Sequence, residues 1–420
     1  MTMADYNFAG INSNLSAGKY SDVLAELDKN KKSIYSGHDK VLEALDYGLL
    51  EHYSGQADSS NSTLGNAEKL IETYSAKSVS QMVGSALTND TVKDYAGEDF
   101  ENIYTNIFMA LNYIQLGKTD DAMVEVRRFD NKLKLLKLNY EKTVRESDSD
   151  SDVKIRKASV KFSNSALARY LSLLLYRSQN DYDNANVDLK FINSAFESQP
   201  SLFDFKVPSS LESELNTPEG LARLNVIAFS GRAPVKVENV LRIPWKENRW
   251  YKIALPEMQK VPSKINRICV TAVNELDGKT YSTELEKLES IENIALDTFQ
   301  QHYSLIFAKS LARSIARTAV NAGLDRASRS DQIQSIEGAG LLLSTFSLIH
   351  QVATEFVERA DVRTSRYFPA TASVCGMDVE SGVYTVTVDY CSGKKVMYSQ
   401  VLRIKAGEKS LNLVESACLR

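Results

Sequence analysis

No proline occurs before Pro200, and seven then fall between Pro200 and Pro262. A proline inside a helix removes a backbone hydrogen bond and clashes with the preceding turn. The proline-free part, with apolar residues at i, i+3 and i+4, therefore reads as helix, and the proline-punctuated part as strands and loops. The expectation is a multidomain α and α+β chain. A helical domain covers 1–198; an α+β domain covers 199–420, with strands at 219–289, covering helices at 290–360 and strands at 370–415. At 420 residues each part is long enough to bury a core of its own.

Four turn signals divide the helical part: Ala17-Gly18-Lys19-Tyr20, Ser54-Gly55-Gln56, Leu116-Gly117-Lys118-Thr119 and Gln179-Asn180-Asp181-Tyr182. Each separates two amphipathic segments, the grammar of a helix–turn–helix repeat. The stretch 97–128 fits the tetratricopeptide (TPR) template best. Its Ala110, Tyr113, Gly117 and Ala122 take the small, aromatic, turn and small positions. The fourth unit keeps Tyr176, Tyr182 and Ala185, the first Gly18, Tyr20 and Leu27, and the second Gly48, Gly55 and Ala67. The turns stand at 18, 55, 117 and 180, too uneven for a regular array. The reading is an α-solenoid of degenerate TPR-like hairpins, with an irregular helical bundle as the alternative. The Ser/Asp alternation over 146–152 is expected to be a solvent loop, and it lacks the Gly and distal Glu of an EF-hand.

In the second part, 221–230, 235–243, 251–255, 264–275 and 280–285 read as strands, with Asp277-Gly278 as a type I′ hairpin turn. The segments 383–390, 396–404 and 410–414 read as an antiparallel meander, the two strand regions forming a sheet or sandwich. The most apolar run, 338–357, is interrupted by Ser344, Thr345, His350, Gln351 and Glu355 and reads as a buried helix, not a membrane span. Of the four cysteines, Cys375 and Cys391 are not expected to bond. A hairpin at Ser381-Gly382 would set them roughly 13 Å apart, beyond the ~7 Å limit.

A net charge of −4 gives no basic field to recruit nucleic acid. No Cys/His spacing suits zinc, no hydrolase elbow, P-loop or dinucleotide loop is present, and the histidines, His38, His52, His302 and His350, are dispersed. No cofactor, metal or catalytic residue is expected. Glu98, Asp99 and Glu101 stand at the first turn of a helix, where acids answer its dipole. Glu125, Arg127 and Arg128 lie one helix away, so an ion pair across the hairpin is expected. Asp361 and Arg363 read as a turn-fixing pair. Lys309, Arg313 and Arg317 form a basic stripe at i, i+4, i+8, suited to anionic lipid or a glycan polymer, though such stripes are usually solvated faces.

Several of these motifs resemble an uncharacterised family of bacterial envelope lipoproteins with TPR-like N-terminal halves. They are Gly97-Glu-Asp-Phe-Glu101, Ala110-Leu-Asn-Tyr113, Val124-Glu-Val-Arg-Arg128, Arg232-Ala-Pro-Val-Lys236, and Glu358-Arg-Ala-Asp-Val-Arg363 followed by Pro369-Ala370. Arg366 and Tyr367 stand without the tryptophan that usually ends the last motif in that family. Although the N-terminus by itself, with no signal sequence, reads as cytoplasmic, the resemblance implies the periplasmic face of the envelope. It further implies a lipid anchor, absent from this chain, just upstream of a sequence like 7–21. The function expected is a non-enzymatic envelope scaffold or adaptor that holds protein partners on the inner helices of a TPR-like surface. Asn106, Asn112, Tyr113, Arg169 and Tyr176 are its expected contact residues. Peptidoglycan or an anionic lipid surface is a further expected partner, with no transmembrane span. The alternatives are a subunit of a larger periplasmic assembly, such as a collar or motor accessory, and an enzyme acting on an envelope polymer.

Overall fold

A computed structural model describes residues 7–81, 93–149, 161–245, 249–303, 306, 310 and 359–420. The N-terminal part is helical: α1 (Ala9–Ser16), α2 (Tyr20–Ile34), α3 (Lys40–Tyr53), α4 (Ala57–Gln81), α5 (Asp99–Gln115), α6 (Thr119–Ser149), α7 (Ala166–Ser178) and α8 (Tyr182–Ser198). They form four successive hairpins, all turned by one device. Gly18, Gly55, Gly117 and Asn180 take left-handed φ angles of 69°, 76°, 70° and 59°. In each case the following residue (Lys19, Gln56, Lys118, Asp181) donates its N–H to a carbonyl five residues back, on Asn14, Glu51, Tyr113 and Tyr176. This Schellman closure needs a residue that tolerates positive φ, which is why glycine or asparagine marks every turn.

Helix α6 differs from expectation. It runs to Ser149, into the Ser/Asp stretch read as loop, because extending an established helix adds one hydrogen bond per residue fixed.

Among the described residues the second part holds ten strands: β1 (Leu221–Ser230), β2 (Val235–Trp245), β3 (Arg249–Gln259), β4 (Arg267–Asn274), β5 (Thr280–Glu284), β6 (Glu286–Ser290), β7 (Thr371–Glu380), β8 (Gly382–Ser392), β9 (Lys395–Ala406) and β10 (Asn412–Cys418). They form two four-stranded sheets, ordered β10-β1-β7-β6 and β5-β4-β8-β9, and a separate β2-β3 ribbon. Residues 291–303 return to helix.

Three expectations are corrected. Strand β10 does not continue the meander; it crosses to the other sheet and pairs parallel with β1. Ser381 is a corner between sheets rather than a hairpin turn, since β7 pairs with β1 and β6 while β8 pairs with β4 and β9. The cysteine register argument therefore loses its premise, although all four cysteines are free thiols. At Asp277-Gly278 only Gly278 takes positive φ (73°), so the β4–β5 turn is not type I′.

The layers follow from strand alternation. Ala222, Leu224, Val226 and Ala228 of β1 face the second sheet, packing with Val270, Val386 and Val388. Ile227 and Phe229 face the other way, into one core shared with Leu49, Phe100, Phe108 and Leu171 of the helices and with Phe368. Phe108 meets Phe229 and Phe368 at ring-centroid distances of 5.4 and 5.9 Å. The helices thus cover one face of a β-sandwich, and the core crosses residue 198. Among the described residues, no helix is long and apolar enough to cross a membrane.

Candidate functional site

The two sheets end side by side in strands β9 and β10, and the α3–α4 and α5–α6 turns lie over these edges. A cleft of about 450 Å³ opens between them. Leu111, Ile114, Leu402, Ile404 and Leu413 give it apolar walls; Tyr20, His52, Gln115 and Glu415 supply polar groups.

His52 anchors this cleft from beneath, 2% exposed. Its Nε2 lies 2.6 Å from Glu415 Oε1, and its Nδ1 lies 2.7 Å from Asn112 Oδ1. The proton count follows from the neighbours. Asn112 donates its amide hydrogens to Ser60 Oγ (2.8 Å) and Asn61 Oδ1 (3.0 Å), and Ser60 spends its own hydrogen on the Gly48 carbonyl (2.7 Å). The Asn112 oxygen must then accept from Nδ1–H, and the Glu415 carboxylate from Nε2–H, which makes His52 an imidazolium. Burial opposes that charge; the Glu415 carboxylate and the hydrogen bonds to Glu415 and Asn112 outweigh it and raise the imidazole above its ordinary value. Gln115 holds the other Glu415 oxygen at 3.1 Å.

The β10 edge is capped at one end. Tyr20 donates its hydroxyl to the Ala417 carbonyl (3.0 Å), and Gln400 Oε1 accepts from the Ala417 N–H (3.3 Å) and Ser416 Oγ (2.8 Å). Backbone groups alternate in direction along a strand, and the Cys418 carbonyl points inward to Gly231 N–H. Glu415 and Leu413 therefore point outward with Ala417. Their N–H and C=O groups form a strand edge in the cleft, which no other hydrogen bond occupies among the described residues.

The residues expected to bind a partner are committed elsewhere. Asn106 and Asn112 are fully buried, Asn106 donating to Glu68 (3.0 Å) and Glu125 (2.7 Å). Arg169 pairs with Asp130 (2.6 Å) and Asp188 (3.2 Å) and lies over the Phe191 ring. Tyr113 and Tyr176 are half-buried against the core. Lys309, Arg313 and Arg317 lie outside the described residues, as do His350 and the apolar run at 338–357.

The expected ion pair across the α5–α6 hairpin does not form. Glu98 pairs with Lys236 on β2 (2.5 Å), and Asp99 with His302 (2.6 Å). Glu125 and Arg128 pair instead with each other, and Arg128 also reaches Glu68 of α4, which takes Lys132 at 2.7 Å. Arg127 is exposed and has no ion pair among the described residues. The acidic start of α5 faces the second half of the chain, so its charges find partners there first. Glu98 and Glu101 form a capping box, and buried Glu101 also accepts from Tyr95 (2.6 Å) and the Ser365 N–H (2.6 Å). Asp361 and Arg363 pair at 2.8 Å, and Arg363 reaches Asp39 at 3.2 Å.

Sequence reasoning missed His52 and Glu415. They stand 363 positions apart, and dispersed histidines gave no local signal. A polar residue inside the apolar run of α3 was the available hint. Among the described residues, no group of three or more His, Cys, Asp or Glu is placed to hold a metal. Neither protein-family models, nor curated proteins, nor solved structures contain a match to this chain.

Proposed function

We propose that this chain is a non-enzymatic binding protein of the bacterial envelope, whose TPR-like hairpins clamp its own β-sandwich and whose partner enters the β9–β10 cleft. The observation that carries this reading is the outward edge of Leu413 and Glu415 inside an apolar-walled groove. Such an edge takes an extended segment by main-chain pairing, while the walls select side chains. An inner-face TPR adaptor is disfavoured, because Phe229 and Phe368 already fill that face. The envelope location and the lipid anchor rest on the motif resemblance alone. Peptidoglycan or anionic lipid as partner rests on the Lys309 stripe.

A subunit of a larger periplasmic assembly is the same reading with a neighbouring subunit in the cleft. Light scattering after size exclusion separates it from a monomer. The enzyme alternative gains nothing here. The acids at the α5 start serve caps and ion pairs, and Glu415 is held by His52 and Gln115.

The test is capture from native envelope extract. Ile114→Lys, on the cleft wall, is expected to reduce partner recovery about tenfold or more with the fold intact. Val401→Lys, at a position 65% exposed on β9, should leave recovery unchanged. Equal recovery by Ile114→Lys and wild type, or none by wild type, would sink the proposal.

A further inference from the structure

Among the described residues, the buried cations and half-buried Arg363 sit against carboxylates: Arg177 and Arg223 on Glu214, Lys236 on Glu98, Arg363 on Asp361 and Asp39. Two half-buried arginines do not. Backbone bonds from Ala233 N–H to the Phe368 carbonyl (2.8 Å) and from Ala370 N–H to the Ser230 carbonyl (3.1 Å) lay the 231–234 loop alongside 366–370. The left-handed Gly231 turn fits there without crowding because it lacks a Cβ, which would stand 3.1 Å from that of Ala370. This placement brings Arg232 beside Arg366, and neither has a carboxylate within ion-pair distance among the described residues.

Arg366 stacks on the Phe8 ring at 4.2 Å, and Arg232 donates to Asn12 Oδ1 at 2.8 Å. Each keeps a buried Nε–H without an acceptor among the described residues. Beside them, the Tyr367 hydroxyl is likewise buried without a partner, on a side chain 1% exposed. The nearby carboxylates are occupied otherwise, Asp46 by Tyr35 and Ser365, and Glu26 by Asn14. Repulsion between the guanidiniums adds to burial in lowering Arg232.

Three buried donor atoms in one neighbourhood, without acceptors among the described residues, are unfavourable if left so. A water could accept one or two hydrogens, but it would not balance two positive charges. We propose that Arg232, Arg366 and Tyr367 form a binding site for a phosphate-type oxyanion. Guanidinium forks match phosphate oxygens, a doubly charged anion balances both arginines, and a tetrahedral group offers an oxygen to each of the three donors. A carboxylate has only two oxygens and one charge.

Calorimetric titration of the full chain with inorganic phosphate and glycerol phosphate tests this, with acetate as the comparison. Wild type is expected to bind phosphate saturably and more tightly than acetate. Arg366→Gln should weaken it about tenfold or more, the scale of one charge-assisted pair. Tyr367→Phe removes a hydroxyl with no hydrogen-bond partner among the described residues, so its melting temperature should match or exceed wild type while phosphate binding falls several-fold. If Arg366→Gln fails to fold, Arg232→Gln and Tyr367→Phe carry the test. Binding to phosphatidic acid vesicles, whose headgroup is a phosphate monoester, that Arg366→Gln abolishes would assign the phosphate to a lipid headgroup; binding to the free phosphates alone would assign a soluble ligand. No saturable phosphate binding by wild type, or binding unchanged in Arg232→Gln and Tyr367→Phe, would overturn the site.

Discussion

Replacing Glu214 with alanine is expected to cost about 3–5 kcal/mol of folding stability, the range for removing one partner of a buried ion pair. Glu214 is fully buried in the loop before β1 and takes three donors. Arg177 of α7 binds one carboxylate oxygen, Arg223 of β1 the other at 3.2 Å, and Asn225 Nδ2 reaches both at 2.9 Å. Arg223 would keep Asp378 at 3.1 Å, but Arg177 would retain only uncharged acceptors: Asn225 Oδ1 and the carbonyl of residue 214. The cost is therefore mainly one uncompensated guanidinium between α7 and the sheet. Asp378→Ala is the comparison. Its carboxylate is 28% exposed, so its loss should cost about 1 kcal/mol or less. Urea unfolding measures both. A Glu214→Ala midpoint near that of Asp378→Ala would contradict the hub.

Stability is also expected to fall as pH rises from about 5 to 8, because two buried carboxyls are held protonated by the fold. Burial pushes Glu289 on β6 up to about 7 from 4.5, against the stabilising bonds from Tyr104, the Leu167 N–H and Ser165. Burial likewise pushes Asp46 to about 7 from 3.8, despite hydrogen bonds from Ser365 and Tyr35. Both folded values lie above the unfolded ones. Their contribution is thus complete below pH 4 to 4.5 and is lost as pH rises through 7. For Glu289 alone the loss is about 3 kcal/mol. Glu68 and Asp361, held below the ordinary range despite burial by Lys132 and by Lys236 with Arg363 respectively, act in the opposite sense and only in acid. Glu289→Gln should be less stable than wild type at pH 5, and the gap should close by about 3 kcal/mol at pH 8. Parallel curves for the two proteins would rule out a protonated Glu289.

The hairpin turns were legible because a left-handed helix end demands glycine or asparagine at one position. The corners of the sheets were not. A Ser-Gly pair reads the same whether it turns a hairpin or, as at Ser381-Gly382, a corner between sheets, and the alternation of 412–418 says which face is buried but not which strand lies beside it. Helix α5 shows a different limit. It is buried on every residue from Phe100 to Asn112 except Asn102, whereas an amphipathic helix in a repeat keeps a wet face. The expectation of a repeat hairpin with Asn106 and Asn112 as partner contacts overlooked this, and in the fold both amides satisfy buried neighbours. Which carboxylate or histidine they satisfy depends on contacts 19 to 60 residues away.

Native-state hydrogen exchange on the full chain tests most directly whether the helices close over the sandwich through one core. Amides of α5 and of β1 are expected to exchange through the same opening, with equal free energies that fall together in added urea. Glu214→Ala should lower both equally. If the α5 amides exchanged through a separate, easier opening while β1 stayed protected, the inner helical face would be available to partners, and the case for the β9–β10 cleft would fail.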